Sequence, residues 1–132
     1  MKKNINFYIF TYLTILFLFS VFFLYQKHEV ANDSTISEWL INYEGGFTKR
    51  GLIGQLSIYL SNFFTIKLRE VIFILQVLMV GVYFVLIYQF LKNISYNKIF
   101  ILAIFTPIFI LYPIAEIEVL ARKEIFIFIY FL

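Results

Sequence analysis

The chain of 132 residues is 62% hydrophobic, and only 14% of its residues are charged. A soluble domain is nearer half apolar, so this composition, with a mean hydropathy of +0.88, indicates a membrane protein. The absence of cysteine excludes disulfides and thiolate sites within the chain, a single histidine excludes a multi-histidine metal site, and a net charge of +3 argues against nucleic-acid binding.

The first predicted element is a transmembrane helix over residues 7–25, a stretch without any charged residue. At about 1.5 Å per residue it crosses a hydrocarbon layer of about 30 Å. The lysines before it resemble the start of a signal peptide. However, a cleaved signal has a shorter apolar region and a small-residue cleavage site, whereas this run is long and bulky. We therefore predict an uncleaved anchor.

A long loop over residues 26–70 follows, and its pattern predicts two amphipathic helices. Thr35 and Glu38 have the spacing of a capping box, and Gly45-Gly46 ends the first helix. The apolar face of the first helix comprises Ile36, Trp39, Leu40 and Tyr43. The apolar face of the second comprises Leu52, Ile53, Leu56, Tyr59, Leu60, Phe63 and Phe64. We predict that both lie in the membrane interface with the apolar side in lipid, the alternative being that they pack on protein.

The rest of the chain predicts a span, a cytoplasmic loop, a third span, an outer loop and the start of a fourth span, over residues 71–91, 92–98, 99–114, 115–124 and 125–132. Pro107 should kink the third span and Pro113 should end it. The last apolar run covers only about 12 Å as a helix, so we expect the protein to continue beyond Leu132. The predicted fold is an all-α polytopic membrane protein with three full transmembrane helices.

The charges predict the orientation of these spans. Lys92 and Lys98 flank a short loop without acids, and Lys2 and Lys3 precede the first span. Short basic loops favour the cytoplasm. The N-terminus is therefore predicted to be cytoplasmic, and all eight acidic residues are then predicted to lie outside.

A first candidate site surrounds the glycine pair of the long loop. Glu44 precedes Gly45-Gly46, and Lys49 and Arg50 follow it. These bases, together with the backbone amides that open the next helix, suit a phosphate group. The alternative is a plain turn whose basic side chains anchor to lipid headgroups.

A second candidate site follows the third predicted span. It contains Glu116, Glu118, Arg122 and Glu124. On one continuous helix, Glu118 and Arg122 would pair at i, i+4, and Glu116 and Glu124 would share a face. Such carboxylates could act as a general base or hold Mg²⁺ or Mn²⁺, the alternative being a solvated loop. Asp33, after the first span, is either a helix-start residue or a catalytic acid.

This layout resembles the N-terminal module of the GT-C class of integral-membrane glycosyltransferases. The strings Glu-Gly-Gly-Phe-Thr-Lys-Arg-Gly-Leu and Ala-Arg-Lys-Glu are similar to those of bacterial membrane proteins of that kind. The resemblance implies polyprenyl-phosphate-linked sugar as substrate, cell-envelope glycan assembly and the bacterial inner membrane. It also implies a catalytic acid at Glu44 or Asp33. Further acids, which hold a metal in some members, would be Glu116, Glu118 and Glu124. The residues that bind the carrier phosphate would be Lys49, Arg50 and Arg122.

Two other functions fit the same residues. A polysaccharide polymerase or a transporter of lipid-linked glycans would use the bases to hold a lipid pyrophosphate. A small non-catalytic membrane subunit would use the charges for assembly. Sequence beyond Leu132 would separate the three functions, because the glycosyltransferase and the polymerase or transporter need many further spans and the small subunit does not.

Overall fold

The computed structural model describes residues 2–30, 34–44, 46, 51–93, 102 and 111–132. Every regular element in these ranges is an α-helix, which confirms the predicted all-α class. In chain order the helices are α1 (Lys2–Glu29), α2 (Ser34–Leu40), α3 (Gly51–Phe64), α4 (Leu68–Asn93), α5 (Tyr112–Ala115), α6 (Ile117–Ala121) and α7 (Ile125–Phe131).

The two long helices α1 and α4 form an antiparallel pair that is the centre of the structure. Ring contacts show the opposite directions of the two helices: Phe10 contacts Tyr88, Phe17 contacts Phe84, and Tyr25 contacts Phe73. Within the described ranges, α1 and α4 are the helices long and apolar enough to cross a membrane. At about 40 Å each, both exceed a hydrocarbon core of about 30 Å. The predicted third span lies mostly outside the described residues.

The two ends of this helix pair differ in charge. Both acidic residues of the pair, Glu29 and Glu70, lie at one end, in the last turn of α1 and the first turn of α4, beside the basic residues Lys27 and Arg69. We call this the acidic end because the pair has acids nowhere else. The basic end contains the start of α1 and the end of α4, with Lys2, Lys3 and Lys92.

Hydroxyl groups inside α1 need no outside partner, because Thr11, Thr14 and Ser20 donate to the carbonyls of Phe7, Phe10 and Leu16.

Both helices predicted in the long loop are present. Helix α2 begins at Ser34, one residue before the predicted cap Thr35. It ends at Leu40, short of the predicted end at Gly45-Gly46, so Tyr43 lies beyond the helix. Of the predicted apolar face, Ile36 and Trp39 pack against protein and are buried with Ile72 of α4, whereas Leu40 is exposed. This differs from the predicted contact of that face with lipid.

Helix α3 packs with its small residues and exposes its large ones. Gly51, Gly54 and Ser57 are buried, and a Cβ on Gly54 would lie only 2.1 Å from the carbonyl oxygen of Ile41. The opposite side exposes an apolar row, here called the α3 row, of Leu52, Leu56, Tyr59 and Phe63. Glycine is therefore required where α3 crosses the end of α2.

A tight turn joins α3 to α4. Thr65 has a positive φ of 55°, the backbone N–H of Ile66 donates to the carbonyl of Ser61 at 3.2 Å, and the Ser61 hydroxyl donates to the Ile66 carbonyl at 2.7 Å. These bonds satisfy the last groups of α3 in the manner of a Schellman motif. The α3 helix is thereby held close to the acidic end.

The C-terminal part is three short helices and not one continuous helix. Pro113 lies in the first turn of α5, where its missing N–H costs nothing. The backbone leaves the helical region at Glu116 (ψ 85°) and again at Arg122 (ψ 169°). The expectation that Glu116 and Glu124 share a helix face is therefore wrong. Helix α7 packs against α4, and Ile125 is buried there.

Candidate functional site

A single backbone carbonyl connects three helices near the acidic end. The Ala121 carbonyl, the last of α6, accepts a 2.8 Å hydrogen bond from the Trp39 Nε1–H and a 2.7 Å bond from the Gln76 Nε2–H. Both donors are buried, at 1% and 3% exposure. The last carbonyls of a helix have no partner within it, so α2 and α4 supply the partners that α6 lacks. We call Trp39, Gln76 and Ala121 the hub.

The hub fixes the turn between α6 and α7, which consists of Arg122, Lys123 and Glu124. Gln76 is seven residues beyond Arg69, or about 10 Å along α4. Phe126, two residues after the turn, packs against Trp39 with ring centroids 5.9 Å apart and ring planes tilted by 42°, and it joins the apolar cluster around Ile72. The charged turn therefore lies beside the uncharged part of α4, and not beyond its charged first turn.

Two charged side chains of this turn have buried polar atoms. Arg122 Nη2 lies 3.3 Å from Glu118 Oε2, which confirms the predicted i, i+4 pair. The Arg122 Nε and the Glu124 Oε2 are buried and have no hydrogen-bond partner in the described structure. A buried polar atom without a partner costs about 1–3 kcal/mol, more if charged, so we expect such atoms to bind water, an ion or a ligand. The turn thus offers one cationic and one carboxylate group to a molecule that enters beside α4.

A second polar group lies where α1 meets the start of α4. Arg69 Nη2 donates to the Val30 carbonyl, and its Nε is buried without a partner among the described residues. His28 stacks on Phe73 with ring centroids 5.2 Å apart, and its Nδ1 is likewise buried and unpaired in this part of the chain. The acidic end therefore has buried polar atoms without a described partner on both α1 and α4 as well as on the turn.

Glu116 lies apart from the turn. Its Oε2 accepts a 3.2 Å hydrogen bond from the Tyr112 hydroxyl, and both residues are exposed. Glu116 is also the residue that precedes α6, and its side chain makes no capping hydrogen bond to that helix. Of the three predicted acids after residue 114, Glu118 and Glu124 flank Arg122, and Glu116 is bound to a tyrosine.

Glu44 is in an exposed loop between α2 and α3. Its backbone N–H donates a 3.0 Å hydrogen bond to Asn42 Oδ1, and Gly46, two residues later, has a φ of +116°. The base of this loop is closed, because Ile41 touches Gly54 and the Tyr43 N–H donates to Gln55 Oε1 at 3.4 Å. The predicted partners Lys49 and Arg50, and also Asp33, lie outside the described residues. The expectation that Lys49 and Arg50 lie close to Glu44 therefore stays a prediction.

Sequence reasoning missed Gln76 and the role of Trp39. A glutamine near the start of a long apolar run was the available signal, because an amide within a bilayer needs a hydrogen-bond partner. Trp39 was placed on an apolar face, but its N–H also needs a partner when it is buried. These residues position the turn and do not themselves carry charge.

A metal remains a prediction at this site. Within the described ranges, no three side chains of His, Cys, Asp or Glu lie close enough together to hold a metal ion. Glu118 and Glu124 are the carboxylates of the turn that a Mg²⁺ or Mn²⁺ ion would use, with oxygen ligands from water or substrate completing its shell.

The charged turn, the hub and the exposed loop of Glu44 are all near the acidic end of one antiparallel helix pair. No family model, no curated protein and no solved structure matches this chain.

Proposed function

We propose that this chain is part of an integral-membrane glycosyltransferase that uses a polyprenyl-phosphate-linked sugar in cell-envelope glycan assembly. The N-terminus is cytoplasmic in this proposal, and α1 and α4 cross the bacterial inner membrane. A third span over residues 99–114 returns the chain to the outer side, and the acidic end faces outward. The apolar helix α7, over Ile125–Phe131, lies in the membrane beside α4 in this proposal.

The observation that carries the proposal is the charged turn held beside α4. Charged side chains at the level of an apolar span are costly, and they mark substrate or ion sites more often than chance. The hub holds this turn in place with two buried hydrogen bonds. The Arg122 Nε and Glu124 Oε2 remain buried and unpaired in the described structure, as groups that await a substrate would be.

Arg122 is the phosphate-binding residue of this proposal. Its guanidinium keeps Nη2 on Glu118 and leaves Nε for a carrier phosphate. A charge-assisted bond of this kind would stabilise the phosphate as it leaves the sugar. Lys49 and Arg50 would contribute further positive charge from the loop of Glu44.

The base of this proposal is a carboxylate. It would take the proton of an acceptor hydroxyl while the hydroxyl oxygen attacks the anomeric carbon, and the bond from that carbon to the phosphate oxygen would break. Glu124 has the buried oxygen at the turn, and Glu44 or Asp33 is the acid implied by the resemblance. Comparison of their glutamine and asparagine variants identifies the base.

The test is activity of the full-length protein in a deletion strain with an envelope-glycan defect. We expect Glu124→Gln and Arg122→Ala to abolish complementation without lowering membrane abundance in an immunoblot. Losing a general base or a charge partner typically costs a hundredfold or more in rate. The matched control is Glu70→Gln, which removes an exposed acid from the first turn of α4.

Product analysis separates transfer from transport. A glycosyltransferase releases a polyprenyl phosphate without its sugar, whereas a transporter moves the lipid-linked glycan intact. Full complementation by both turn variants would contradict the proposal and leave the charges with a role in assembly.

A further inference from the structure

A groove between α1 and α4 runs toward the basic end, away from the charged turn. It encloses about 470 Å³, and its walls include Phe10 and Phe17 of α1 and Val85 of α4. The space opens at Gly81, where the nearest atom to an added Cβ would be Phe17 Cε2 at 3.8 Å. The missing side chain therefore leaves a slot in an otherwise close-packed helix pair.

The groove is apolar along its length and polar at one end. Gln89 and Lys92 line its end near the last turn of α4, about 16 Å from Gly81 along the helix axis. Lys92 is exposed, and no acidic side chain among the described residues pairs with it. This shape matches a molecule with an apolar chain and a charged head.

The charge around the polar end has one sign. The antiparallel pairing brings the start of α1 toward Lys92, and the first turn of α1 has no acidic residue. The sequence contains no acidic residue before Glu29 and none from 71 to 115. The head that complements this end is therefore an anion.

We propose that this groove binds a bilayer phospholipid with an anionic headgroup. One acyl chain lies along Phe17 and Val85 toward Gly81, and the phosphate lies at Lys92. A lysine at a membrane surface extends its apolar stem along the helix and keeps its ammonium at headgroup level, where it attracts anionic lipid. The site is independent of the proposed function, since it is at the opposite end of the helix pair from the charged turn.

Native mass spectrometry of the full chain tests this site. The protein is reconstituted in vesicles with equal amounts of phosphatidylglycerol and phosphatidylcholine of the same acyl chains, then extracted gently. We expect phosphatidylglycerol to be enriched in the bound fraction. Lys92→Gln should reduce that enrichment about fivefold, the contribution of one basic residue near a membrane surface. Lys67→Gln, an exposed lysine at the acidic end, should leave it unchanged.

A second pair of variants tests the groove itself. Val85→Trp fills it and should remove the bound lipid, whereas Val82→Trp, on an exposed part of α4 that does not line the groove, should not. Circular dichroism confirms that each variant is folded. Equal retention of the two lipids by the unchanged chain, or no bound lipid at all, would overturn the proposal. So would a Val85→Trp variant that binds as much lipid as Val82→Trp.

Discussion

Helices α2 and α3 come from the same loop and have similar amphipathic patterns, yet the structure uses their apolar faces in opposite ways. The face of α2 is covered by protein, with Trp39 only 1% exposed, whereas the α3 row is open, with Phe63 80% exposed. The two helices contact protein through different groups. Trp39 has a buried N–H that bonds Ala121, and α3 has Gly51, Gly54 and Ser57 on its packed side.

This contrast shows what an apolar pattern leaves open. A large apolar row indicates that a helix face avoids water, but lipid and protein both satisfy that requirement. Small residues on one side of a helix indicate where backbones approach closely, as Gly54 does at Ile41. On α3 the small residues, and not the large ones, mark the contact with protein.

The largest expected effect is the loss of Trp39 from the hub. Trp39→Ala should lower stability by about 3–5 kcal/mol, because it removes a fully buried aromatic side chain and leaves a cavity. The measurement is the midpoint of thermal unfolding in detergent. Tyr59→Ala in the α3 row is the matched control and should shift the midpoint little, because Tyr59 is 66% exposed. Equal shifts for the two variants would remove the distinction between α2 and α3.

The next effect concerns the close approach of α3 to α2. Gly54→Ala places a Cβ within 2.1 Å of a backbone oxygen, so α3 must move. Overpacking of this kind costs about 1–3 kcal/mol. Gly81→Ala is the control, because its Cβ would make only an ordinary contact and alanine favours the helix by about 1 kcal/mol. We expect thermal midpoints that move in opposite directions, and a fall for Gly81→Ala as large as that for Gly54→Ala would contradict this packing.

Gln76 gives a smaller effect on the same hub. Gln76→Leu removes one of two hydrogen bonds on the Ala121 carbonyl and leaves the other in place. The net cost of one such bond is about 1 kcal/mol. The double variant Trp39→Phe with Gln76→Leu leaves the carbonyl without either donor, and it should cost more than the sum of the two single changes. Additive shifts in unfolding midpoint would show that the donors act independently.

The sequence predicts the elements of this fold better than their partners. The uncharged runs predict α1 and α4, because a run of that length has few alternatives, and Glu118 with Arg122 follows from helical spacing. The break at Arg122 could not be predicted, because its extended backbone depends on hydrogen bonds that Trp39 and Gln76 bring from distant positions. Glu124 therefore does not share a helix face with Glu116, as the sequence spacing had predicted for one continuous helix.

The smallest change in stability, and the sharpest test of the contrast, is expected along the α3 row. Leu56→Gln should leave the unfolding midpoint nearly unchanged, because Leu56 is half exposed and lies opposite the buried small residues of α3. If lipid covers the row, spin labels placed singly along residues 52–64 should show oxygen accessibility with a period near 3.6 residues. The maxima should fall at 52, 56, 59 and 63, while labels at Ser37 and Leu40 of α2 provide the comparison. A flat profile along α3 would mean that neither lipid nor protein selects this face. The similar patterns of α2 and α3 would then have no counterpart in the membrane.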